Sequence, residues 1–583
     1  MLWCLCFSLP GLAEENLKVL HVAISSAETG FDPVMTSDLN TAAIEQQLFE
    51  SLLTYDYLAR PAKLVPRLAA SMPVVTEQGR TWTFTLKTGV YFSPDKVFKG
   101  RKRELNAADV VYTLMRFMDP ANRSPYKFLL DGKIVGLDER AEQARKSGHF
   151  DYDSPVAGLQ VLDPYHLRVH LKTPDYNFGH AMAQPMMGVV AREVIDAYAG
   201  DTASHPVGSG PYQLAQWVRS ARIQLVKNPY YRHEVWHFVP TQDAGDQRVV
   251  AQMEGKVIPQ IDRIDIQVVE EAQSAWLSFG KGELDILGIP AQFSPLALDH
   301  DQLRSDWADR GVRLDRIIEP AIAYYFINQQ DPQLGGMSPA RIALRRALFL
   351  AINDDEMIRV ISKGQAWRNA YPIPAGVAGA DPSYQSMLNF DPVLANRLLD
   401  EFGYHRDASG YRQYPDGQPL VVRYTTGVSS QDRELDEVMK KSLDRIGVRF
   451  VSEKLKFPDI IRAERQCRIQ MRLSGWIADY PDGDNFMQLW YGPHIHENNA
   501  SCVQDPEWDR LYEQTLTLPD SPQRDALYHR LARRLELMGV TKVSTSSVRN
   551  VLSQPWVLGY KAHPILPSVW SYLDVNTSHG SGH

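Results

Sequence analysis

Apolar and polar positions alternate with a period of two at residues 19–24, 82–86, 167–171, 223–226, 264–269 and 284–287, and each run predicts a strand with one face covered. A period near 3.6 takes over elsewhere. Ile44, Leu48 and Leu52 recur at helical spacing from Thr41, with Asn40 as the expected N-cap. Asn106 followed by Asp109 predicts a capped helix through Val111, Leu114 and Met118. Ser338-Pro339, Asp391-Pro392 and Ser521-Pro522 each set a cap residue before a proline, which suits the first helical position because its missing N–H has no partner there anyway. Residues 420–425, 431–446 and 448–455 read as strand, helix and strand, a unit that requires parallel pairing. Residues 131–153 are polar and predict a surface insertion.

The chain is organised around residues 469–482. Ile469, Met471 and Leu473 alternate as a half-buried strand that the pattern ends at Gly475-Trp476, ahead of Asp479, Pro481 and Asp482. A strand ending beside carboxylates sets free backbone hydrogen-bonding groups next to a negative anchor. That combination suits an extended ligand with a cationic end. The plainer reading makes Asp479 and Asp482 solvated turn residues around Pro481, and on local pattern alone it is favoured.

Charge and composition narrow the classes. Across 583 residues, 62 Lys and Arg stand against 70 Asp and Glu, a net charge of -8, without the basic stripe that a nucleic-acid partner needs. At 44% hydrophobic residues the chain is of ordinary globular composition, long enough for about two to four domains. No apolar run reaches the roughly 18 residues of a membrane span. Residues 2–9 are apolar and give way through Gly11 and Ala13 to Glu14 and Glu15, which fits a truncated export signal ending after Ala13; a buried first strand is the alternative, since no basic residue precedes Lys18. Beyond that segment two cysteines remain, Cys467 and Cys502. A bridge between them would close about 35 residues and contribute roughly 3–4 kcal/mol; two buried thiols fit the sequence equally well.

Many short motifs in one order then carry a resemblance. They are Phe31-Asp32-Pro33 with Leu48-Phe49-Glu50-Ser51-Leu52, Leu64-Val65-Pro66-Arg67-Leu68-Ala69, Trp82-Thr83-Phe84-Thr85-Leu86-Lys87 and Ala107-Ala108-Asp109-Val110-Val111-Tyr112. Val207-Gly208-Ser209-Gly210-Pro211-Tyr212, Asn228-Pro229-Tyr230-Tyr231, Gly282-Glu283-Leu284-Asp285, Ala351-Ile352-Asn353 and Gly475-Trp476 through Asp482 follow. Over residues 18–575 the chain resembles the family 5 extracellular solute-binding proteins, the peptide, dipeptide and nickel receptors of ABC importers. It departs from their pattern in the basic stretch Lys96 to Arg103 and in a longer segment from Arg232 to Gly255.

The resemblance implies an α/β, two-lobed periplasmic-binding-protein-like fold with an extra domain and a hinge between the lobes. The expected division is a signal at 1–13, a discontinuous first lobe at 14–55, 206–316 and 547–575, an extra domain at 56–205, a second lobe at 317–546 and a disordered tail at 576–583. It implies a soluble, exported periplasmic receptor, expected to be a monomer. Its partners would be a small peptide or related solute and a permease in the inner membrane, with no nucleic acid and no cofactor. By the same resemblance Asp479 holds a peptide's ammonium, Gly475, Trp476 and Ile477 pair with its backbone, and Leu39 and Tyr112 face it from the other lobe. A nickel chelate is the alternative solute. An enzyme is not expected: no Gly-x-Ser-x-Gly or Cys-x-x-Cys occurs, and the cluster His494, His496 and Glu497 follows Gly492-Pro493 as an exposed loop rather than a metal site.

Overall fold

The computed structural model describes residues 17–577. The expected export signal lies outside them, as do the last six residues of the expected tail.

Three sheets carry the chain. In the first, Val19–Ile24 pairs in parallel with Arg263–Val268, which continues antiparallel to Arg222–Lys227 and Tyr212–Val218. The second is antiparallel throughout, in the order Val74–Thr76, Thr81–Thr85, His166–His170 and Leu159–Asp163. One continuous core, running from Leu20 and Ile44 through Phe84, Leu114 and Val169 to Leu573, lies under both. The third and largest sheet runs Ile286–Gly288, Thr541–Ser553, Ala321–Ile327, Met471–Ile477, Val421–Thr426 and Arg449–Lys454. Its central strand, Ala321–Ile327, is apolar at every position because both faces are covered. Tyr325 and Ile327 join the core on one side, and Ile322, Tyr324 and Phe326 the core on the other.

The chain passes between the first and third regions along two adjacent strands. Arg313–Ile318 leads through Glu319 and Pro320 into Ala321–Ile327. The 13-residue strand Thr541–Ser553 pairs through residues 541–547 with Ala321–Ile327 and Ala366–Arg368, and through residues 548–553 with Arg313–Ile318.

The 421–454 unit forms as its pattern requires. Val421–Thr426 and Arg449–Lys454 are parallel, joined by the helix Ser430–Asp444, which Ser429 and Asp432 close with a capping box. Local chemistry moved other elements. The first helix is Leu39–Leu48, capped by Asp38, whose carboxylate accepts from Thr41 N at 2.8 Å; Asn40 instead donates to Ser26. A full charge capping the helix dipole outcompetes the amide one turn position later. The 131–153 segment is not a bare surface insertion: Leu137–Ser147 is a helix that buries Leu137, Ala141 and Ala144. Its polar residues outnumber that narrow stripe, which hides the period. The strand expected to end at Gly475 runs on to Ile477.

Candidate functional site

Met471–Ile477 has one paired edge and one largely bare edge. On one side it runs antiparallel to Ala321–Ile327, Met471 facing Ile327 and Ile477 facing Ala321. Two bonds fix the alternation of that ladder: Asn328 N–H donates to Gln470 O at 3.0 Å, and Ala478 N–H to Pro320 O at 2.9 Å. Even-numbered residues therefore bond inward, and Leu473, Gly475 and Ile477 turn their N–H and C=O groups to the other edge. There Val421–Thr426 reaches only as far as Tyr424 opposite Met471. Tyr424 Oη takes the Leu473 N–H at 3.1 Å, and beyond that point no strand of the described residues covers Gly475 or Ile477. Both are exposed, Ile477 to 64%. A Cβ on Gly475 would have Ile322 O, at 3.5 Å, as its nearest neighbour, so the glycine keeps space clear above the edge rather than relieving a clash.

Three carboxylates follow, and one arginine divides them. Arg524 grips Asp482 with two bonds of 2.7 Å, while Tyr528 Oη donates to the same carboxylate at 3.3 Å. Burial pushes the Asp482 carboxyl up, but Arg524 outweighs it and holds the group below the usual range. Asp482 is 1% exposed, so it is no solvated turn residue. Asp484 sits beside it; burial and the Asp482 charge drive its carboxyl well above the usual range. Asp479 has neither partner. Burial raises its pKa, and the opposing influence is one neutral hydrogen bond, from Asn485 Nδ2 at 2.9 Å. No Lys, Arg or His among the described residues forms an ion pair with it. Asn485 Oδ1 accepts from Trp476 Nε1 at 3.0 Å and from Asp479 N–H at 3.1 Å, so this buried amide orients the strand end and the carboxylate together. Only its position six residues past Asp479 could have pointed to it in the sequence.

The opposite wall comes from residues 38–187. Gln184 Nε2 donates to Asp479 O at 2.7 Å, and the His180 ring stacks on Tyr480 at 5.7 Å. Tyr55 Oη lies 3.0 Å from His180 Nδ1, and burial lowers the His180 pKa. The short turn Pro185–Met187 packs on the helix Leu39–Leu48, which presents Leu39 67% exposed at its first position. On this wall burial raises the pKa of Tyr126, and the charges of Asp479, Asp38 and Glu45 raise it further. Tyr112 takes no such place. It is 7% exposed, its ring 5.0 Å from Tyr152 and under the Arg192 guanidinium at 5.8 Å, because it lies on the core side of the helix Ala107–Met118. Gly475, Trp476, Ile477 and Asp479 thus lie together at one strand end, to which Gln184 bonds from the other wall; Leu39 is exposed on its own helix, and Tyr112 stays in packing.

Cys467 and Cys502 are joined, their Cα atoms 6.1 Å apart, tying the turn before the edge strand to the loop at 499–502. A cavity of about 770 Å³ lies between Pro61, Ile318, Trp367, Tyr371 and Ser546. It reaches Ala378, whose N–H donates to Pro481 O at 3.1 Å, but none of the residues singled out above lines it.

One metal motif escaped the sequence reading: His233-Glu234-Val235-Trp236-His237 has the His-Glu-x-x-His spelling. That spelling chelates zinc only on a helix, where i and i+4 share one face. Here Glu234–Val235 is a strand, and four residues of extended chain separate the two histidines by about 13 Å. Glu234 is bound to Arg67 and Arg232, which also hold the buried Glu50, and His237 pairs with Glu254 at 2.7 Å. Among the described residues no group of three His, Cys, Asp or Glu side chains is placed to hold a metal.

The periplasmic oligopeptide-binding protein OppA of Escherichia coli is 25% identical over 578 residues, spanning 96% of this chain and 92% of the relative. The unliganded open form of the periplasmic murein tripeptide binding protein MppA superimposes with a TM-score of 0.73 at 19% identity, covering 97% and 99% of the two chains. NikA from Brucella suis, in complex with Fe(III)-EDTA, superimposes at 0.72 with 20% identity, over 96% and 100%. Residues 63–497 match the bacterial extracellular solute-binding proteins, family 5. The chain belongs to that family.

Proposed function

We propose that this protein is the periplasmic receptor of an ABC importer for short peptides, which it binds by the N-terminal ammonium and the backbone. One observation carries the reading. Asp479 is a half-buried carboxylate with no cationic partner among the described residues, at the end of a strand whose Gly475 and Ile477 backbone groups no described strand pairs. An extended peptide added to that edge satisfies both needs at once. The likeness to OppA and MppA, proteins named for oligopeptides and a murein tripeptide, supports it. A chelate receptor, the reading NikA suggests, needs neither a free strand edge nor an unpaired carboxylate.

The division into lobes follows the two crossings. The described residues of a first lobe at 14–55, 206–316 and 547–575 share a core with an extra domain at 56–205, residues 275–312 add a smaller core of their own, and a second lobe at 317–546 carries the edge strand. Two adjacent strands between lobes form a hinge, so a ligand touching both walls shifts the balance toward closure. The protein acts as a monomeric carrier rather than an enzyme and hands its peptide to the permease.

Mass spectrometry of ligand released from protein purified without refolding tests the reading. Short peptides with free N-termini are expected; a metal chelate or another solute in stoichiometric amount would overturn it.

A further inference from the structure

The first departure from the family pattern, the basic stretch at 96–103, is not among the residues proposed to bind the peptide. It forms the tip of an ordered arm. Phe92 N–H donates to Arg103 O at 3.0 Å and Leu105 N–H to Val90 O at 2.8 Å, closing the arm at its base. Buried Phe92 and Phe98 pack together with ring centroids 6.3 Å apart and root it in the core. At the tip, the turn Lys96–Phe98 is capped by Asp95 and ends in the left-handed Lys99, followed by Gly100.

Five cations fall within these eight residues, and only one is neutralised. Arg103 is held by Asp109 at 2.7 Å and Glu193 at 2.6 Å. Lys96, Lys99, Arg101 and Lys102 are exposed, and none forms an ion pair with a carboxylate of the described residues. Lys102 Nζ lies 4.8 Å from the Tyr230 ring centre and Lys96 Nζ 5.3 Å from that of Tyr198. These aromatic contacts keep the charges extended without cancelling them. Asp95, the one acid at the tip, is committed to Val97 N–H and Tyr198 Oη. A chain of net charge -8 thus presents a cluster of four exposed cations that are unpaired among the described residues, with the single carboxylate of Asp95 beside them.

We infer that this arm docks the protein onto an anionic lipid surface. The tip carries no exposed large apolar side chain, whereas the centre of a protein interface is depleted of lysine and built on apolar or aromatic anchors. Adsorption to anionic headgroups needs only clustered Lys and Arg within a Debye length of the surface. Such docking holds the receptor at the membrane where its permease lies. It does not depend on what the cleft binds.

Sedimentation of the protein with vesicles tests it. Vesicles with 30% phosphatidylglycerol in phosphatidylcholine should bind at low salt, pure phosphatidylcholine should not, and about 0.3 M salt should release the protein. Each cation near such a surface contributes about five-fold in partitioning, so K96Q/K99Q/R101Q/K102Q should lower it by several hundred-fold. Peptide affinity should stay unchanged, which separates this result from failure of the receptor reading. Equal binding to neutral vesicles, no binding to anionic vesicles at low salt, or an unaltered variant would overturn the proposal. Binding that required the permease's protein rather than anionic lipid would also overturn it.

Discussion

Asn485 gives its amide N–H to the Asp479 carboxylate at 2.9 Å while its carbonyl oxygen takes the Asp479 backbone N–H at 3.1 Å. The same oxygen takes the Trp476 indole N–H at 3.0 Å. A neutral side chain therefore aims the carboxylate without cancelling its charge. An arginine in its place would supply the missing cation and leave nothing for a ligand to satisfy. Asn485→Ala should weaken peptide binding about 10- to 100-fold. It should also cost about 1–3 kcal/mol of stability, because two buried donors lose their acceptor. Calorimetry and denaturant unfolding check the two effects, and full affinity in the variant would show that Asp479 needs no support.

Gly475 is exposed, and a Cβ added there would meet nothing nearer than Ile322 O at 3.5 Å. Gly475→Val should leave folding stability within about 1 kcal/mol of the parent, since a β-branched residue suits a strand. Peptide affinity should fall at least ten-fold as the side chain fills the space over the bare edge. A variant that binds normally would mean that the backbone at 475–477 does not pair with ligand.

The Asp482–Arg524 pair makes the opposite prediction. Asp482→Asn leaves the buried Arg524 guanidinium with only the exposed Asp520 carboxylate as its ionic partner and should cost about 3 kcal/mol of stability at neutral pH, with affinity of the folded protein nearly unchanged. The sign of the pH effect follows from the depressed carboxyl. The contribution of Asp482 is complete above the unfolded carboxylate value near 4 and is lost as pH falls through the lower folded value. The stability gap between parent and variant should narrow as pH drops below about 4. A gap that widened there would contradict the assignment.

Reducing the bond between Cys467 and Cys502, or replacing both with Ser, removes a constraint on 35 residues and should cost about 3–4 kcal/mol. The edge strand lies inside that loop, so hydrogen exchange at 471–477 should rise more than exchange in Val19–Ile24. Uniform acceleration would indicate that the bridge acts on the whole chain.

The sequence shows what alternates or caps, and little of what meets across the fold. The strand at Val19–Ile24 and the Ser338-Pro339 helix start lie where period and cap chemistry put them. The 471–477 strand was visible as well, but not its true end, because the pattern treats Gly475 as a stop while the pairing to Ala323 carries the strand past it. Asp479 and Asp482 look alike in sequence; Arg524, some forty residues on, makes one structural and leaves the other unpaired. Tyr112 and Tyr126 differ in the same way. Only tertiary packing decides that Tyr152 and Arg192 enclose one while the charge of Asp479 acts on the other. His233 and His237 show the converse, a motif whose meaning depends on a helix that the chain does not form there.

The central claim is that Asp479 pairs with a peptide ammonium that leaves water as the lobes close. A desolvated ammonium is costly without a facing carboxylate, and losing one partner of such a pair costs about 2–5 kcal/mol, or roughly 30- to several-thousand-fold in affinity. Calorimetry of one bound peptide and its N-acetylated form, against the parent and Asp479→Asn, isolates that pair. The account predicts that acetylation weakens the parent strongly and the variant much less. Equal losses in both proteins would contradict it, placing the ammonium elsewhere or removing the N-terminus from recognition.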